Sequence, residues 1–155
     1  MSRKANGGDN RLQSTVLIDV GKAAHLGKVL VMKILVVDDD PSMVMLISLL
    51  LKVNGHETIK AFGGQEGIDA ARKEIPDIIL LDVMMPVMDG FDVLRELRLN
   101  RITENIPVIF VTARNDAEFK KKAMSLGAQG YVTKPYSRDE LIETINSVVY
   151  ASQDR

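Results

Sequence analysis

Short apolar runs alternate with helix-length segments from position 33 onward. The clearest runs are 33–37 (KILVV), 77–81 (DIILL), 107–111 (PVIFV) and 129–133 (QGYVT), with a more polar strand-like stretch at 56–62. Each is short, β-branched and bounded by turn residues, so each predicts a strand. The segments between them carry helix punctuation. Asp40-Pro41 supplies an N-cap and a first-turn proline for a helix to about 53, which Asn54-Gly55 ends. A helix over 64–74 stops before Pro76, and Asp89 caps another to about 98. Asn115 or Asp116 starts a fourth with Gly127 as its stop, and Ser137-Arg138-Asp139-Glu140 has capping-box spacing for a fifth. Five strand–helix repeats predict an α/β domain built on a parallel sheet.

In such a sheet, residues at the carboxyl ends of the strands converge although they are distant in sequence. Those ends carry Asp38-Asp39-Asp40, Asp82, Thr112 and Lys134. Adjacent carboxylates at buried strand ends repel one another unless a cation intervenes. Asp40 is accounted for as a helix cap, which leaves Asp38, Asp39 and Asp82 as an oxygen-only group suited to Mg²⁺ or Mn²⁺. A carboxylate such as Asp82 is a nucleophile for phosphoryl transfer, and Lys134 offers an ammonium to balance the transferring charge. Thr112 is a bland strand-end residue in any other context; here its hydroxyl is placed to bond a phosphoryl oxygen.

Composition narrows the class further. There is no cysteine, which excludes disulfides, thiolate metal sites and a thiol nucleophile. Arg3, Lys4, Arg11, Lys22 and Lys28 outweigh Asp9 and Asp19 in the first 31 residues, yet the chain as a whole has a formal net charge of −1. Neither part is basic enough to predict nucleic-acid binding. No apolar stretch reaches the ~20 residues of a membrane span, and Asp19 and Lys22 interrupt any signal-like segment. The expectation is a cytoplasmic protein with no membrane partner. Residues 1–31 form an N-terminal extension, polar and disordered over 1–12, with 13–30 as a short helix, a strand or a tail packed on the domain; residues 32–155 form one domain.

VVDDD, LLDVMMPVMDG, FVTAR and GAQGYVTKP, in that order, resemble the receiver domain of two-component response regulators. The resemblance covers about 32–149 and implies a flavodoxin-like, doubly wound (βα)5 fold with strand order 2-1-3-4-5. It implies Asp82 as phosphoacceptor, with Mg²⁺ held by Asp38, Asp39, Asp82 and the backbone carbonyl of Met84. Thr112 and Lys134 would contact the phosphoryl group, and Tyr131 would move with Thr112 as a switch. A cis Lys134–Pro135 peptide is also implied. The implied partners are a sensor histidine kinase or a His-containing phosphotransfer protein, and an unidentified downstream protein target. A chain with so few residues after its last helix is expected to act by phosphorylation-dependent protein contact, not as an enzyme.

The stretch 43–51 (MVMLISLLL) has Ser48 as its one polar residue, more apolar surface than one helix face needs. With Met43, Leu46, Ile47 and Leu50 facing the sheet, Val44, Met45 and Leu49 are expected to form a partner-binding patch. Two other classes fit parts of the pattern. A Mg²⁺-dependent aspartyl-phosphate phosphatase of the haloacid dehalogenase type expects an aspartate two residues after the nucleophile, where Met84 stands. A pseudo-receiver that only binds partners normally lacks one of the acidic or lysine positions, all of which are present.

Overall fold

The computed structural model describes residues 14–17 and 28–153, with side chains from Val31 onward. In chain order the elements are β1 (Ser14–Leu17), β2 (Lys28–Val31), β3 (Lys33–Val37), α1 (Pro41–Val53), β4 (Glu57–Ala61), α2 (Gly64–Glu74), β5 (Ile78–Leu81), α3 (Gly90–Arg98), β6 (Val108–Thr112), α4 (Ala117–Ser125), β7 (Gly130–Thr133) and α5 (Arg138–Gln153). Strands β3 to β7 form one parallel sheet ordered β4-β3-β5-β6-β7. Counted within the sheet, this is the 2-1-3-4-5 order. β1 and β2 pair antiparallel with each other as a separate two-stranded unit. Parts of 13–30 are therefore strand; the expectation of disorder over 1–12 lies outside the described residues.

Alternation along each strand splits the core into two layers. Ile34, Val36, Leu80, Ile109 and Val111 pack beneath α1 and α5; Leu35, Val37, Ile79, Leu81 and Phe110 pack against α2, α3 and α4. Both faces of the sheet are covered, which is why its central strands read as unbroken apolar runs. The helix starts follow local chemistry. Asp40 accepts from the Ser42 N–H with Pro41 in the first turn, and Asp89 and Asp92 form a reciprocal capping box. Asp116 caps α4, and the Ser137 hydroxyl accepts from the Glu140 N–H at 3.0 Å at the start of α5. Gly55 and Gly127 take positive φ just past α1 and α4. The Lys134–Pro135 peptide is cis.

The orientation of α1 differs from the sequence expectation. Val44, Ile47, Ser48 and Leu51 face the core, while Met45, Leu46 and Leu49 are 53%, 59% and 60% exposed. Val44 is fully buried and does not belong to the exposed patch. In a stretch apolar on every side, periodicity cannot fix the rotational phase, and the one polar residue, Ser48, turns inward.

Candidate functional site

Three site residues are set by backbone bonds between neighbouring strand ends. The Asp38 N–H donates to Ala61 O, the Asp82 N–H to Val37 O at 3.0 Å, and the Lys134 N–H to Thr112 O at 2.8 Å. Asp38, Asp39 and Asp82 thereby present carboxylate oxygens that all lie within 4.8 Å of one another. Asp38 and Asp82 are buried and Asp39 is exposed, so the group has one side open to water. Lys134 Nζ lies 2.9 Å from Asp38 Oδ2 and 3.8 Å from Asp82 Oδ2.

Burial pushes the Asp82 carboxyl above its ordinary range, and the charge of Asp38 adds to that. Lys134, the Met84 N–H and the Thr112 side chain oppose the rise. Asp38 and Asp82 share one ammonium and Asp39 stands beside them, so the group is short of positive charge. All-oxygen donors, close together and partly open, fit a hard divalent cation such as Mg²⁺.

Thr112 is fully buried at the end of β6, and its hydroxyl oxygen accepts from the Arg114 N–H at 3.4 Å. Tyr131 sits further out, packed against Phe110, and its hydroxyl donates to the Arg114 carbonyl at 2.6 Å. Arg114 thus joins Thr112 to Tyr131 through backbone atoms. Its guanidinium is held by Asp116 at 2.8 Å and lies 3.3 Å from the Phe119 ring centroid. Nothing in the sequence marks this link, because Tyr131 lies far along the chain from Arg114 and bonds its backbone carbonyl.

The loop after β5 carries two further features. Gly90 begins α3, its N–H bonded to Val83 O at 2.9 Å, and a side chain there would collide with the Asp82 carbonyl oxygen. Asp89 is legible in the sequence as a helix cap, but this close approach at Gly90 is not. Val87 has φ of 69° and is fully exposed, a left-handed conformation that a β-branched residue strains to adopt. Val87→Gly is expected to raise stability by about 1 kcal/mol, seen in thermal melts as a rise of about 2–4 °C. An unchanged or lower midpoint would show that the loop bears no such strain.

The model of the family described as "response regulator receiver domain" matches residues 34–146, and the chain belongs to that family. Protein PilH of Pseudomonas aeruginosa is 38% identical over 117 residues, covering 76% of this chain and 97% of PilH. The alkaline phosphatase synthesis transcriptional regulatory protein PhoP of Bacillus subtilis is 37% identical over 121 residues, covering 78% of this chain. This chain spans only 50% of PhoP. Among solved structures, chemotaxis protein CheY4 of Vibrio cholerae superposes with a TM-score of 0.73 at 32% identity, over 76% of this chain and 98% of CheY4. The receiver domain of a Francisella response regulator gives 0.72 at 36% identity, over 78% of this chain and 98% of that one. Phosphoryl acceptance and Mg²⁺ binding at an acidic pocket are general to receiver domains. No helix of the described residues is long and apolar enough to cross a membrane.

Proposed function

We propose that this chain accepts a phosphoryl group on Asp82 from a histidine kinase or phosphotransfer protein and signals by phosphorylation-dependent protein contact. The observation that supports this most strongly is the convergence of Asp38, Asp39 and Asp82 within 4.8 Å, with the Lys134 ammonium beside them. Asp38, Asp39 and Asp82, with the Met84 carbonyl, would hold Mg²⁺, which when bound supplies positive charge against the phosphoryl oxygens. Asp82 attacks phosphorus in line as the donor's imidazole leaves, so one P–N bond breaks and one P–O bond forms. Lys134 moves its ammonium from a carboxylate partner to a phosphoryl oxygen. Thr112 offers its hydroxyl to another, and that bond exists only in the phosphorylated state. Because Arg114 ties Thr112 to Tyr131, a shift of Thr112 is carried to the surface formed by α4, β7 and α5.

The test is phosphate uptake from acetyl phosphate with and without Mg²⁺. Wild type should require the cation, and Asp38→Asn with Asp39→Asn together should lower uptake at least about 100-fold. Full Mg²⁺-dependent uptake in that double variant would remove these residues from the site.

The docking face for the phosphodonor protein is the exposed apolar patch of Met45, Leu46 and Leu49 on α1, which Asp40 caps beside the acidic group. Met45→Glu is expected to slow transfer from a protein donor about tenfold while leaving uptake from acetyl phosphate unchanged. Equal transfer rates with both proteins would place docking elsewhere.

A further inference from the structure

Little buried surface holds α4 to the domain. Ala123 alone of its nine residues is buried, against five of the nine in α3. An element with so few buried atoms takes its position from a handful of contacts at its ends and flanks. Its Phe119 ring is half-buried, 5.3 Å from the Phe91 ring of α3, which lies edge-on to Phe110 of β6 at 5.4 Å. Lys122 Nζ stands 4.5 Å from the Phe91 ring centroid and Lys120 Nζ 5.8 Å from that of Tyr131.

Arg114 spans the loop between β6 and this helix. Its main chain is tied to the strands: the N–H donates to the Thr112 hydroxyl oxygen at 3.4 Å, and the carbonyl accepts from the Tyr131 hydroxyl at 2.6 Å. Its side chain is tied to the helix. Nε and Nη2 donate to Asp116 Oδ2 at 3.0 and 2.8 Å, and the guanidinium carbon lies 3.3 Å from the Phe119 ring centroid. Asp116 uses its other oxygen, Oδ1, to accept from the Phe119 N–H at 3.0 Å and so cap α4. The bond from Arg114 holds the Asp116 carboxyl below its ordinary range, and the Phe119 N–H adds to that.

We propose that the Arg114 side chain is a positioning residue that makes α4 move with Thr112. This rests on the phosphoryl-acceptor reading of Asp82 and concerns how that site reaches the surface. Without the side chain, 113–116 is irregular backbone at the surface, whose dihedral angles absorb a small shift of Thr112. With it, the guanidinium bridges the loop, and a displacement at 112–114 is delivered to the Asp116 cap and the Phe119 ring. Phe119 then slides on Phe91, and the first turn of α4 follows. Because so few buried atoms anchor α4, contacts as weak as an exposed ion pair and a cation–π pair are enough to set its place.

The test compares amide ¹⁵N shifts of the full chain before and after treatment with acetyl phosphate and Mg²⁺, with uptake followed by intact mass. In wild type, phosphorylation should shift Thr112, Tyr131 and 117–125. In Arg114→Ala the changes at Thr112 and Tyr131 are expected to persist, while those over 117–125 fall about fivefold. Asp116→Ser keeps an N-cap but removes the carboxylate, and should show the same loss. Arg114→Lys keeps the charge without the flat stacking group and should restore part of the response. A response of wild-type size over 117–125 in either Arg114→Ala or Asp116→Ser would overturn the proposal. So would loss of helical ¹³C shifts over 117–125 in unphosphorylated Arg114→Ala, which would make the side chain a contact of the fold alone. Phosphate uptake stays unchanged in all three variants. A wild type that takes up no phosphate would sink the phosphoryl-acceptor reading itself, whereas normal uptake with an undiminished α4 response sinks only the role of Arg114.

Discussion

Gly90→Ala is expected to cost about 3 kcal/mol or more, a fall in melting temperature of about 10 °C. The added methyl group would collide with the Asp82 carbonyl oxygen and lie 2.8 Å from the Val83 Cα. Both are backbone atoms at the end of a central strand, so no side chain can rotate to make room. Relief requires the first turn of α3 to move away from β5, which breaks the Gly90 N–H bond to Val83. Phosphate uptake should fall together with stability, since the same backbone carries Asp82. Gly63→Ala is the control. Nothing lies within 4 Å of its added methyl group and its φ is extended, so its stability should stay within about 0.5 kcal/mol of wild type. Equal melting temperatures for the two variants would show that the loop yields freely at Gly90.

Asp82→Asn is expected to abolish phosphate uptake and, with divalent cations chelated, to stabilise the protein by about 1–3 kcal/mol at neutral pH. Asp82 and Asp38 share Lys134, and removing one carboxylate leaves Asp38 with the ammonium at 2.9 Å. The pH dependence follows from the raised Asp82 pKa. The folded state binds the Asp82 proton more tightly than the unfolded chain does. Stability contributed by that difference is full below the unfolded pKa of about 3.8 and lost as pH rises through the folded value. The advantage of Asp82→Asn should therefore appear as pH rises through that window and vanish below it. Chemical unfolding in a chelating buffer across that range measures it. A variant less stable than wild type at neutral pH would mean that the attraction of Lys134 outweighs both burial and the charge of Asp38.

How much of this was legible in the sequence follows from which signals are local. Strand ends are marked by a change from apolar to polar residues, and parallel topology brings the ends together, so Asp38, Asp39, Asp82, Thr112 and Lys134 could be grouped before any coordinates. The caps Asp40, Asp89 and Asp116 are equally local. The phase of α1 was not legible, because eight of the nine residues at 43–51 are apolar and the one polar residue, Ser48, turns inward. Long-range polar ties were invisible for another reason. Arg98 reaches Ile106 O and Gly127 O at 2.9 Å each, and Tyr131 reaches Arg114 O. Each pairs a side chain with a backbone carbonyl, which any residue possesses, so no residue type announces the partner.

The measurement that tests the phosphoryl-acceptor assignment most directly is borohydride reduction of protein treated with acetyl phosphate and Mg²⁺, followed by fragment mass spectrometry. An acyl phosphate at Asp82 is reduced to homoserine, so homoserine at position 82, absent when Mg²⁺ is chelated, is the expected result. Homoserine at another aspartate, or an unmodified Asp82 in protein that has taken up phosphate, would contradict it.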